Sequence, residues 1–196
     1  MSGTEKLKKH LKVGHVYRRE DLCKWSTAID RHLEELVENG QLEKLARGLY
    51  YVPKTSVFGK VPPAENFMIE GFLKDDRFLL VSPNLYNTLG LGTTQLYNKK
   101  IVYNHKRHGK FRLGNREFEF RRKYAFPSKL SPEFLLIDLA NNLNELAEDK
   151  DELIKKIRSK ASQMPPSTLR LMVKKYASMK TKKMLAPLLN SSDKDV

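Results

Sequence analysis

Ile29-Asp30-Arg31-His32-Leu33-Glu34-Glu35-Leu36-Val37-Glu38-Asn39-Gly40 is followed by Leu42-Glu43-Lys44-Leu45-Ala46-Arg47-Gly48-Leu49-Tyr50-Tyr51-Val52-Pro53. Across Gly40 the apolar period changes from about 3.6 residues to about 2. Ile29, Leu33, Leu36 and Val37 form one stripe of an amphipathic helix. Gly40 supplies the left-handed residue that ends it. Thr27 and Asp30 stand at capping-box spacing, which predicts a hydroxyl on the helix amides and a carboxylate reaching back. The second stretch reads as a β-hairpin turning at Arg47-Gly48.

Upstream, Glu5 to Lys12 reads as a short helix, Val16-Tyr17 as extended, and Arg19-Glu20-Asp21-Leu22 as a second short helix. Three helices and a hairpin in this order are those of a winged helix-turn-helix. The fold class expected is α+β, with a winged helix over 1–58, an α+β domain over 59–190 with a small antiparallel sheet and a mostly helical C-terminal half, and a disordered tail over 191–196.

The composition agrees with a nucleic-acid partner. The 196 residues carry 37 Lys and Arg against 23 Asp and Glu, a formal charge of +14. A polyanion relieves the self-repulsion of such a surplus. Residues 1–64 are net +4, 97–124 net +8 and 150–184 net +9, with acidic stretches at 65–96 and 125–149. One cysteine, Cys23, argues against a disulfide framework and fits a reducing cytoplasm. The charged N-terminus is unlike a signal peptide, and no apolar run approaches the ~20 residues of a membrane span.

With the stripe turned inward, Ser26, Thr27, Asp30 and Arg31 face outward at the helix start, where base edges are reached. Arg31 suits either a guanine edge or a phosphate. Lys44 and Arg47 on the hairpin suit phosphates. Tyr50 and Tyr51 alternate, so one is expected in the core and the other half exposed. Cys23 is expected to pack near Leu22 and Trp25.

Lys99 to Asn104, Lys110 to Leu113 and Glu117 to Lys123 read as strands of a half-buried sheet, with a turn at Gly114-Asn115. Its open face would carry Lys110, Arg112, Arg121 and Lys123, either as auxiliary DNA contacts or as a solvated edge. His105-Lys106-Arg107-His108 reads as a loop, since adjacent cations disfavour a metal. Ser131-Pro132-Glu133 starts a central helix. Asp138 within it should meet a cation from a neighbouring helix. Further helices carry Lys155, Lys156, Lys174 and Lys175 outward. No triad, metal set or phosphate-cradling Gly loop is evident, so neither catalysis nor a cofactor is expected.

The stretch V16-Y17-R18-R19-E20-D21-L22 and the run from Ile29 to Pro53 resemble the N-terminal winged helix of AbiEi-type antitoxins. That family's pattern is a helix ending L-V-x-x-G, then L-x-R-x-x-R-G-x-Y; Lys44 stands where its first Arg would be. F78-L79-L80-V81-S82-P83-N84-L85-Y86-N87-T88-L89-G90-L91 resembles its following strand and helix, so the likeness covers about three quarters of the chain. The resemblance implies a cytoplasmic bacterial repressor of its own operon, binding operator DNA. It also implies the antitoxin of a type IV (abortive-infection) pair, set against a nucleotidyltransferase-like toxin. The alternative is a protein-interaction or RNA-binding module that docks an acidic partner through its basic C-terminal half.

Overall fold

A computed structural model describes residues 3–91 and 97–191. The chain begins α1 (Gly3–Lys8), β1 (Val16–Arg18), α2 (Arg19–Leu22), a 3-10 turn Cys23–Trp25, α3 (Ile29–Glu38), β2 (Glu43–Ala46) and β3 (Leu49–Tyr51). It continues with β4 (Lys54–Ser56), β5 (Gly59–Val61), α4 (Glu65–Leu73), β6 (Phe78–Val81), a 3-10 helix Pro83–Leu89, β7 (Ile101–Asn104), β8 (Gly109–Leu113) and β9 (Arg116–Arg122). Last come α5 (Pro132–Asn141), a 3-10 turn Leu143–Glu145, α6 (Lys150–Ser162), α7 (Pro166–Tyr176) and α8 (Met179–Ser191). This is an α+β chain with small sheets. The expected tail lies outside the described residues from residue 192, and Ser191 belongs to α8.

Two compact units divide it, and they are not sequential. The first takes the chain to Phe78 together with Lys106–Glu119; the second takes Leu79–His105 and everything from Phe120. The division expected between residues 58 and 59 is therefore replaced by one after Phe78, with a later hairpin assigned to the first unit.

In the first unit, Leu7, Leu22, Ile29, Leu33, Leu36, Leu42 and Tyr50 make one core, with Trp25 and Val37 packed on its edge. Beside it lies a sheet of order β1-β3-β2, antiparallel throughout. Because β1 pairs along β3, that strand is central and both its faces are covered. Tyr50 faces the helices, while Tyr51 donates its hydroxyl to Val61 O at 2.9 Å, under the β4–β5 hairpin. Both tyrosines are thus buried, where alternation along the hairpin alone predicts one half exposed.

A bulge in β2 falls between Lys44 and Ala46. A bulged residue loses its ladder partner. The carbonyl of Leu45 is instead taken by the amide of Gly114, at 2.7 Å, in the tight turn between β8 and β9. Gly114 sits at φ 59°, which favours glycine. Helix α4 approaches this sheet at Gly71, where a Cβ would lie 3.0 Å from Leu49 Cδ1 and 3.2 Å from Val16 Cγ1.

In the second unit the strands run in the order β6-β7-β9. Helix α5 starts as expected, with Ser131 Oγ accepting from Phe134 N at 3.2 Å and Pro132 at its first position. Phe134 through Ala140 are all buried, so α5 is covered all round. Among them Asp138 is fully buried. Its carboxylate accepts hydrogen bonds from the hydroxyls of Tyr86 at 2.8 Å and Tyr103 at 2.7 Å. Lys123 Nζ stands 3.6 Å from the same group. The cation that burial demanded comes from the end of a strand, not from a neighbouring helix.

Arg121 is equally committed. It donates to Asn142 Oδ1 at 3.1 Å and to Glu145 Oε2 at 2.5 Å, and its side chain is only 14% exposed. Arg121 and Lys123 are therefore not members of an open basic face. At Arg121 and Lys123, the end of β9 meets α5 and the turn after it, through Asn142, Glu145 and Asp138.

Burial raises the Tyr86 and Tyr103 hydroxyls well above the ordinary tyrosine value, with the nearby Asp138 charge acting in the same direction. Burial also lowers the Lys123 ammonium, against the pull of Asp138. Asp138→Ala leaves two buried phenols and an ammonium without their acceptor, and urea denaturation should show a loss of about 3–5 kcal/mol. For a phenol whose pKa is raised on folding, stability is present below the unfolded value of 10.0 and is lost as pH climbs above it. In an alkaline titration followed by phenolate absorbance, at least two of the eight tyrosines should ionise only together with unfolding.

Candidate nucleic-acid interface

The first turn of α3 is held differently from a capping box. Its N-cap residue is Ala28, which has no side-chain cap, and Thr27 lies one position too early and exposed. Asp30 has another partner. Arg19 Nε donates to Asp30 Oδ1 at 2.5 Å and Arg19 Nη2 to Asp30 Oδ2 at 2.6 Å. A bidentate guanidinium outcompetes neutral amides because both partners carry full charge. These hydrogen bonds hold the Asp30 carboxyl below the usual carboxylate range and raise the Arg19 guanidinium further. Ser26 is also occupied, its hydroxyl lying 2.7 Å from Nδ1 of the buried His32.

Arg19 has a second attachment. Its backbone N–H donates to Gly48 O at 2.9 Å, at the tip of the β2–β3 hairpin, where Gly48 has φ 72°. One residue thus holds both the start of α3 and the hairpin tip. The two elements border one cleft of about 720 Å³, lined by Arg19, Asp30, Lys44, Arg47, Tyr50 and Phe72 among others. Of the carboxylates that line the cleft, Glu20 pairs with Lys74 and Arg18 and Asp30 with Arg19, while Glu34 is exposed and in no ion pair among the described residues. Arg18 is drawn to Asp21 as well, at 2.7 Å.

Of the residues expected at the interface, Asp30, Lys44 and Arg47 line this cleft, whereas Ser26, Thr27 and Arg31 do not. Arg31, Lys44 and Arg47 are exposed, and among the described residues none of them forms an ion pair. Asp30 is a structural partner here, not an open recognition group. Arg19 is the residue that sequence reading missed. Its signal lay in its position: it opens α2, and a cation there opposes the helix dipole unless a carboxylate holds it. Cys23 is exposed, its thiol donating to Arg19 O at 3.3 Å, and does not pack inward as expected.

The wider basic set is dispersed. Lys110 and Arg112 are exposed in the first unit, with Glu117 3.9 Å from Lys110. Lys155, Lys174 and Lys175 are exposed in the second, where Lys156 pairs with Glu152 at 2.8 Å. Among the described residues, no group of three or more His, Cys, Asp or Glu is placed to hold a metal ion, and no helix is long and apolar enough to cross a membrane.

The fold has a solved counterpart. The chain is similar to the RV2827C protein from Mycobacterium tuberculosis, whose crystal structure matches with a TM-score of 0.55 at 13% identity, over 96% of this chain and 75% of that one. Identity this low speaks to fold alone. No curated protein matches the sequence. A family model does match, over residues 3–165, and on that extent the chain belongs to DUF6088, a family of unknown function.

Proposed function

We propose that the first unit is a winged helix-turn-helix that binds duplex DNA, with α3 toward the major groove and the β2–β3 hairpin as the wing. One observation carries this reading: Arg19 ties the wing tip at Gly48 to the start of α3 at Asp30. A helix start and a cationic ribbon tip on the same side form the surface such a domain turns to DNA. The element order and the sheet order β1-β3-β2 support it. Lys44 and Arg47 then bind phosphates, and Arg31 and Thr27 lie at the groove edge. By the resemblance in residues 16–53 and 78–91, the chain represses its own operon in the cytoplasm and is the antitoxin of an AbiEi-like type IV pair. Its role is occlusion of a promoter, without catalysis or cofactor.

The exposed acids Glu34 and Glu38 on α3 favour a second reading, a module that docks protein, because they oppose a phosphate strand along the helix. DNA binding separates the two. If six to eight phosphates are neutralised, log K should fall against log salt with a slope of about −5 to −7. Arg47→Ala should weaken binding to all duplexes alike and flatten that slope by about one. A full-length protein that ignores duplex DNA at every salt concentration while capturing an acidic protein overturns the DNA reading.

Arg19→Ala should reduce affinity without removing a phosphate contact, so its salt slope should stay at the wild-type value while Kd rises. The antitoxin role is checked by co-expression with a nucleotidyltransferase-like toxin of an AbiEi-type pair, where growth should be restored by the chain and not by an empty vector.

A further inference from the structure

Lys106 and Arg107 sit just before β8 in the first unit, and the fold gives them opposite tasks. Lys106 Nζ donates to Lys74 O at 2.6 Å and Leu73 O at 3.3 Å and pairs with Asp75 at 3.2 Å. It caps the C-terminal end of α4, where carbonyls and dipole both favour a cation. Arg107 is directed elsewhere. Its guanidinium carbon lies 4.5 Å from the centroid of Phe72 and 6.0 Å from that of Phe111, two rings 5.1 Å apart. It also lines the 720 Å³ cleft that Lys44 and Arg47 line.

We propose that Arg107 is a third backbone-phosphate contact in the DNA footprint of Lys44 and Arg47, pre-oriented by the Phe72–Phe111 platform. The proposal rests on the DNA-binding reading above and extends it to a segment some sixty residues further along the chain. Stacking engages the face of a guanidinium, while its N–H donors project from the edge in the fork that matches a phosphate. A side chain already ordered by aromatic rings loses less rotamer freedom on binding than a free arginine does. Anchoring of Lys106 at the end of α4 fixes the backbone from which Arg107 projects. The fold thereby brings cations from two distant stretches of sequence to one cleft, which a phosphate strand crossing it would meet together.

The test measures Kd for a fluorescein-labelled random-sequence DNA duplex across a salt series, by anisotropy, with full-length protein and its Arg47→Ala, Arg107→Ala, Arg107→Lys and Phe72→Leu variants. For Arg107→Ala, the affinity lost between about 50 and 200 mM salt should be about 3.5-fold smaller than for wild type, one counterion at a slope of about 0.9 per phosphate. Arg107→Lys should restore the wild-type slope, and Phe72→Leu should raise Kd while leaving that slope unchanged, since charge is kept and only the platform is lost. Thermal melting of Arg107→Lys guards against an unfolded variant. If Arg47→Ala flattens the slope and Arg107→Ala does not, the inference falls and the DNA reading stands. If Arg107→Ala acts only on a labelled RNA hairpin, the duplex assignment is overturned. If wild type binds no duplex at any salt, both fall together.

Discussion

Arg19 determines how the first unit presents itself. Through its backbone amide it holds the hairpin tip, and through its guanidinium it holds the first turn of α3. The ion pair is exposed, so it adds little to folding free energy. Its consequence is geometric. Two elements that the chain visits eleven and twenty-nine residues after Arg19 are brought to a common edge, and Lys44 and Arg47 are carried with them to the same cleft. Occupying Asp30 also removes a carboxylate from a surface that would otherwise repel phosphate.

The second unit solves a different electrostatic problem. Asp138 is buried in the middle of a helix covered on all sides, and two tyrosine hydroxyls and one ammonium satisfy it. Those partners come from a 3-10 helix, a strand and the end of another strand, so the carboxylate joins segments far apart in the chain. A buried polar network of this kind is costly when incomplete and specifying when complete. Asn142 adds to it, donating to Tyr103 Oη at 3.3 Å and to its own helix at Asp138 O.

Net charge therefore does not map directly onto a binding surface. Of the cations in the two basic blocks, Arg121, Lys123 and Lys106 serve the interior or a helix end, and Lys156 is paired along its own helix. Arg31, Lys44 and Arg47, from the less basic N-terminal stretch, are exposed and form no ion pair among the described residues, and the same holds for Arg112, Lys155, Lys174 and Lys175 from the basic blocks. The surplus of +14 is a property of the whole chain; the placement of individual side chains decides which cations a polyanion could reach.

Local pattern was enough for α3, the β2–β3 hairpin and α5. It was not enough for β4, β5 and α4, which were not read from it, nor for the bounds of α1, expected over Glu5–Lys12 and found over Gly3–Lys8. The stripe from Ile29, the glycines at 40 and 48 and the Ser131-Pro132 start all act over four residues or fewer, and period, cap and turn chemistry are short-range. The centrality of β3, the burial of both tyrosines, the partner of Asp138 and the loss of the capping box were not legible. Each depends on a strand or side chain brought back from elsewhere, and pairing across the chain leaves no periodic trace. The same holds for the site. Lys44 and Arg47 could be read as an exposed tip, but Arg19 and Arg107 join that cleft only because β1 pairs with β3 and the β8–β9 turn closes on the bulge at Leu45. Residue types set what each side chain can do; long-range pairing decided which of them meet, because meeting is a property of the folded path and not of spacing along it.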